Sequence, residues 1–147
     1  MAFAVPSQQL IVIERSKNAN IVIYEAQLDT TGTLLSDSPV IAYWKLNATT
    51  GKKEALNMLD KRAYGFSVKK EREKFQMVLV AFNKRPIQLI KDGNTVRAQI
   101  AINGIQSWLT KVYVKAKDNG PRPKVEYLEL FGTAVDGGQK NYEKLVP

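Results

Sequence analysis

The side chains that could carry chemistry in this chain are carboxylates, lysines and arginines, because it contains no histidine and no cysteine. Without those two residue types, Ser-His-Asp and Cys-His catalysis, zinc–thiolate sites and disulfide bonds are excluded. A carboxylate pair would have to act as general acid and base. Glu71 and Glu73 lie in a turn among basic residues, and Glu126 and Glu129 fall on opposite faces of a predicted strand. We therefore predict no catalytic residue, no metal and no cofactor.

The acidic residues are spread along the chain, and most have a basic residue within a few positions. Such a distribution is typical of solvated surface charge, whereas a working acid needs an apolar pocket that raises its pKa. We expect the acidic side chains to lie mainly at the surface and to titrate close to their ordinary pKa values.

The cations are in excess, with 22 Lys and Arg against 14 Asp and Glu and a net charge of +8. This balance favours contact with a polyanion such as an acidic glycan or a nucleic acid, although excess charge also serves solubility. The nearest approach to an aromatic–basic nucleic-acid face is Trp108 with Lys111 and Tyr113 with Lys115, and strict alternation does not put them on one face.

Period-two alternation in short segments predicts the elements that position these groups. It indicates an all-β domain over residues 10–147, an antiparallel barrel or sandwich of about eight to ten strands arranged mostly as a meander. One short helix is predicted near residues 54–62, a hairpin turn at Asn103-Gly104 and another turn at 83–86. No apolar run reaches the ~20 residues of a membrane span. Residues 1–9 are predicted to be a tail whose Ala2-Phe3-Ala4 matches the end of a signal peptide.

In an up-and-down meander, alternate turns gather at opposite ends of the sheet. The turns of one end bring together a predicted polyanion-binding set: Lys69, Lys70, Arg72, Lys74, Lys117, Arg122 and Lys124. The other end holds the short helix and a predicted ligand-binding set: Lys61, Arg62, Lys84, Arg85 and Asn103.

Several strings of the sequence carry a resemblance: RSKNANIVIYEAQL, SPVIAYW, KRAYGF, the KRP of Lys84 to Pro86, KVYVKAK and VEYLELFGT. Together they resemble the bacterial domain-of-unknown-function family forty-eight thirty-three. The resemblance implies a small, single-domain, often exported bacterial protein, so we predict a periplasmic or extracellular location. The family has no assigned activity, and no residue role follows from it.

Two functional hypotheses remain open. The first is a non-catalytic exported β-domain that binds an anionic ligand or polymer through basic turns, with nucleic acid among the partners to be considered. The second is a structural subunit that joins neighbouring chains, itself included, through edge strands. The runs 10–13 and 142–146 are the candidate edges, because strands at chain ends often lie at the edge of a sheet.

Overall fold

The computed structural model describes residues 7–16, 18–47, 51–72, 74–116 and 125–147, which form eleven strands and one short helix, α1 (Met58–Tyr64). The domain is therefore all-β, as the alternation predicts, with slightly more strands than expected. Within the described part of the chain, no helix has the length and apolar character of a membrane span. The strands are β1 (Ser7–Arg15), β2 (Asn18–Gln27), β3 (Val40–Leu46), β4 (Lys52–Ala55), β5 (Phe66–Glu71), β6 (Lys74–Leu79), β7 (Phe82–Asp92), β8 (Thr95–Ile102), β9 (Ile105–Ala116), β10 (Val125–Ala134) and β11 (Lys140–Leu145).

All strands belong to one sheet with the order β4-β3-β2-β1-β9-β8-β7-β6-β5, and β10 and β11 continue from β9. Consecutive strands of the described sheet pair antiparallel, as a meander requires, except for β4 and β5, and β1 pairs with β9 in parallel. The path ends at β4 and β5, so the described strands do not form a closed barrel. The N-terminal hairpin is thus inserted beside β9 rather than simply preceding the meander.

The sheet divides at β9. One edge of β9 pairs with β10 along residues 107–116, while the other edge is shared by β8 at residues 105–108 and β1 at 111–114. Two layers diverge from this point, a front layer of β1–β4 and a back layer of β5–β8. Their inner faces contribute to one apolar core, in which Tyr24 of the front layer packs edge-on against Phe66 of the back layer at 5.9 Å.

The prediction that the run 10–13 forms an edge is wrong, because β1 lies between β2 and β9. Ile11 and Ile13 are fully buried, and residues 12–15 of this strand pair with β2 on one edge and with β9 on the other, so the main chain of that part is not available to an external partner. The prediction that the run 142–146 lies at an edge agrees with the strand order, because β11 pairs only with β10 in the described sheet.

The helix begins later than predicted, at Met58, because Asn57 caps it through a reciprocal pair of hydrogen bonds with Asp60. Residues 52–55 pair with β3 as β4 instead. The apolar helix residues Met58 and Leu59 are 83% and 70% exposed. The helix covers the front layer through its polar and aromatic residues: Asp60 accepts a hydrogen bond from the Trp44 indole.

Two turn predictions had different outcomes. Asn103 and Gly104 have φ angles of 51° and 78°, as a two-residue hairpin turn demands. The predicted turn at 83–86 is wrong, because the chain turns at Val80-Ala81 and β7 begins at Phe82. The β6–β7 ladder passes from Phe82 directly to Ile87, so Pro86 sits in an irregular part of the strand and removes no ladder bond.

Candidate functional site

The predicted ligand-binding residues fall in different depressions of the surface. Lys61 lines a depression beside the helix with Phe66 and Val80, and Arg62 is exposed on the same helix. Lys84 and Arg85 line another depression, formed with the C-terminal residues of the chain. The helix and the start of β7 lie on the two sides of the Val80-Ala81 turn, so the predicted set does not form one concave site.

Arg85 is already paired. Its guanidinium donates two hydrogen bonds, each 2.7 Å long, to the two carboxylate oxygens of Glu143. The backbone N–H of Asn103 also donates to Glu143, at 2.6 Å. Arg85 and this N–H together lower the pKa of Glu143 to about 2, and the same ion pair raises the pKa of Arg85. Arg85, Asn103 and Glu143 thus hold β7, the β8–β9 turn and β11 together.

The expectation of ordinary titration is therefore wrong for Glu143, whose partner lies 58 residues away in the sequence. It is also wrong for Asp29, because hydrogen bonds from the Thr31 hydroxyl and the Thr33 and Thr31 backbones lower its pKa. A charge pattern read along the chain cannot reveal partners that arrive only through folding.

Part of the predicted polyanion-binding set does come together. Lys69, Arg72 and Lys74 border a depression of about 420 Å³ at the β5–β6 turn. The depression lies on the outer face of the back layer, the face turned away from the core. Its lining is completed by one carboxylate and two amide side chains: Glu71, Gln76 and Gln88.

Lys70 does not belong to this surface, because successive side chains of a strand point to opposite faces. Its Nζ lies 5.4 Å from the centre of the Phe75 ring and 3.5 Å from the Ser36 hydroxyl, on the side of the β2–β3 loop. The remaining three members of the predicted set, Lys117, Arg122 and Lys124, lie outside the described residues.

The depression continues as a row of side chains directly opposite one another across five strands. Each ladder register links one member to the next: β5 to β6, β6 to β7, β7 to β8 and β8 to β9. We call this set the outer row: Lys69, Gln76, Gln88, Gln99 and Trp108. Next to its last member, the Arg97 guanidinium stacks 4.6 Å from the Trp108 ring centre.

Trp108 and Lys111 share the outer face, contrary to the sequence prediction. A β-bulge in β9 is the reason: Phe131 pairs with Lys111 but the next residue, Gly132, pairs with Leu109. The extra residue, Thr110, shifts the alternation by one position. Gly132 permits the close approach of β10, because a Cβ at this position would lie 2.1 Å from the Trp108 carbonyl oxygen.

The glutamines of the outer row were not among the site residues predicted from the sequence. Alternation places each of them on an outer face, but it gives no alignment between strands. Only the ladder registers show that Gln76, Gln88 and Gln99 stand side by side.

The comparison with protein families agrees with the resemblance noted in the sequence. Residues 11–144 match the family described as Domain of unknown function (DUF4833). The chain belongs to this family. No curated protein and no solved structure shows significant similarity to this DUF4833 domain.

Proposed function

We propose that this protein is a non-catalytic binding domain for an acidic polysaccharide, which lies across the outer row of the back layer. The observation that carries the proposal is the register itself, which aligns one lysine, three glutamines and one tryptophan on five adjacent strands. Four strand spacings of about 4.8 Å make the row about 19 Å long, which is enough for several units of an extended polymer.

Charge is concentrated near the ends of the row. Lys69, Arg72 and Lys74 lie at the β5–β6 end, and Arg97 lies beside Trp108 at the other end. The Arg97 charge is partly compensated, because its Nη1 is 3.5 Å from the carboxylate of Asp92. Solvated cations of this kind contribute little individually, but together they attract a polyanion over a distance set by the salt concentration.

The middle of the row is neutral and rich in hydrogen-bonding groups. Each glutamine offers two N–H donors and a carbonyl acceptor, a combination suited to the hydroxyl groups of a sugar. Trp108 adds a ring against which a sugar can stack. A surface for single-stranded nucleic acid would present several aromatic rings for successive bases, and the row has one. Within the row, these features favour an acidic polysaccharide. Single-stranded DNA is the necessary second probe, because β9, β10 and β11 carry two further ring pairs, Tyr113–Tyr127 and Phe131–Tyr142.

The test compares two double variants with the same change in net charge. K69E/K74E alters the proposed site, and K61E/K84E alters exposed lysines elsewhere. Binding to heparin is measured by titration between low and physiological salt, with single-stranded DNA of similar length as the second probe. We expect K69E/K74E to reduce the dependence of log affinity on log salt, by about 0.7 for each lost contact in the case of single-stranded DNA, and K61E/K84E to leave it nearly unchanged.

Equal losses in the two variants would show that net charge alone attracts heparin, and the outer row would be rejected as the site. Tighter binding to single-stranded DNA than to heparin would replace the polysaccharide by nucleic acid as the partner. Trp108→Ala tests the stacking contact, and we expect it to weaken heparin binding without changing the salt dependence.

Assembly through edge strands, the second hypothesis, has less support. β11 carries Lys140 and Lys144 on its exposed face and the inward-facing carboxylate of Glu143. Exposed lysines and inward-facing charged residues on an edge strand both oppose its pairing with another chain. Export also stays a prediction, and the test is whether mature protein is recovered outside the cytoplasm.

A further inference from the structure

Arg15, at the end of β1, lies against two aromatic rings, one from β3 and one from helix α1. Its guanidinium carbon lies 4.4 Å from the Trp44 ring centre and 5.3 Å from that of Tyr64. The two rings contact each other edge-on at 5.3 Å. We call Arg15, Trp44 and Tyr64 the arginine cage.

Each member of the cage is fixed by the fold. Arg15 is paired through its backbone with β2 on one side and with β9 on the other. The Trp44 indole N–H donates a hydrogen bond of 2.9 Å to Asp60, and the Tyr24 hydroxyl donates one of 2.7 Å to the Tyr64 carbonyl oxygen. The cage is therefore arranged before any ligand arrives, which reduces the entropy lost on binding.

The charge of Arg15 is not compensated within the described residues. Its side chain forms no ion pair there, and its one hydrogen bond runs from Nη1 to the Tyr64 hydroxyl at 3.4 Å. The Nε atom is buried and has no hydrogen-bond partner. Asp60, the carboxylate bonded to the Trp44 indole, is already occupied, because it accepts from the indole N–H and from the backbone N–H of Asn57.

Arg85, another arginine that lies against an aromatic ring, provides a contrast. Arg85 has its guanidinium carbon 5.8 Å from the Phe82 ring centre, and both of its terminal nitrogens are paired with Glu143. A buried donor left without a hydrogen-bond partner is destabilising, and more so when the group is charged. Arg15 lacks such a partner for its charge, and an external anion at the terminal nitrogens of the guanidinium would supply it.

We propose that the arginine cage is a binding site for one oxyanion group, a carboxylate or a phosphate, of a small ligand. The planar guanidinium presents its N–H donors in the fork geometry that matches both groups. Trp44 and Tyr64 act as walls that hold the guanidinium plane and exclude water from it. The cage lies on the front layer, so the proposal does not depend on the outer row of the back layer.

The test is an NMR titration of the whole chain with sodium phosphate and, separately, with sodium acetate. Sodium chloride at matched ionic strength serves as the blank. The signals observed are the Nε–H of Arg15, the Nε–H of Arg85 and the indole N–H of Trp44. We expect the Arg15 and Trp44 signals to shift and saturate with at least one of the two anions, while Arg85 remains at its blank position.

Saturation with phosphate alone assigns the site to a phosphorylated ligand, and saturation with acetate alone assigns it to a carboxylate. Arg15→Lys keeps the positive charge and the aliphatic part of the side chain but lacks the paired N–H donors of the guanidinium. We expect it to weaken the anion affinity that is read from the Trp44 signal by about tenfold or more. An Arg15 shift no larger than that of Arg85, or a Trp44 response unchanged in Arg15→Lys, would show that the cage is only a packing contact.

Discussion

The Arg85–Glu143 ion pair allows a prediction whose size can be worked out from the structure. Glu143→Gln removes the carboxylate charge, leaves Arg85 without its counter-ion and weakens the hydrogen bond from the Asn103 backbone N–H. A pKa lowered from 4.5 to about 2 corresponds to at most about 3 kcal/mol of stability. The side chains are 32% and 18% exposed, so screening reduces this to about 2 kcal/mol.

The effect has a defined dependence on pH. A carboxylate whose folded-state pKa is depressed stabilises the protein above its ordinary pKa, and the stabilisation is lost as the pH falls through the folded-state value. Between pH 4.5 and about 2, the free energy of unfolding of the wild type should therefore fall more steeply than that of Glu143→Gln. Above pH 5 the difference between the two proteins should be constant at about 2 kcal/mol.

Urea denaturation followed by circular dichroism measures both quantities. Glu126→Gln is the matched control, because it removes the same charge from an exposed position of β10. We expect the control to change the free energy of unfolding by less than about 0.5 kcal/mol. The physical reasoning would be refuted if Glu143→Gln and Glu126→Gln were equally stable at pH 7. It would also be refuted if the difference in stability between the wild type and Glu143→Gln were the same at pH 2 as at pH 7.

Two further predictions concern glycines with different roles. Gly104→Val should lower the free energy of unfolding, measured by heat or urea, by about 1–2 kcal/mol, because a side chain is strained at a φ of +78°. No larger cost is expected, since no atom lies within 4 Å of the new Cβ. A neutral result would contradict the turn type. Gly132→Ala should cost about 3 kcal/mol, because its Cβ would lie 2.1 Å from the Trp108 carbonyl oxygen; a protein of normal stability would show that the β9 bulge can relax.

Local features of this domain could be predicted from its sequence. Alternation between apolar and polar residues is a property of each strand alone, so it revealed most strands and the all-β class. The turn at Asn103-Gly104 was also predictable, because a positive φ at both positions depends on the residues themselves. The helix begins at Met58 and not near residue 54 as predicted, because the capping hydrogen bonds of Asn57 fix its first residue.

The candidate sites were decided by long-range pairing. Arg85 looked available for a ligand until folding brought Glu143 to it from β11, and the bulge at Thr110 placed Trp108 and Lys111 on one face. The alignment of the outer row depends on four ladders at once, and the enclosure of Arg15 by Trp44 and Tyr64 joins β1, β3 and α1. The sequence by itself determined which residues alternate, turn and carry charge. Only the tertiary structure decided which of them meet, because register, bulges and the division of the sheet at β9 depend on the packing of distant segments.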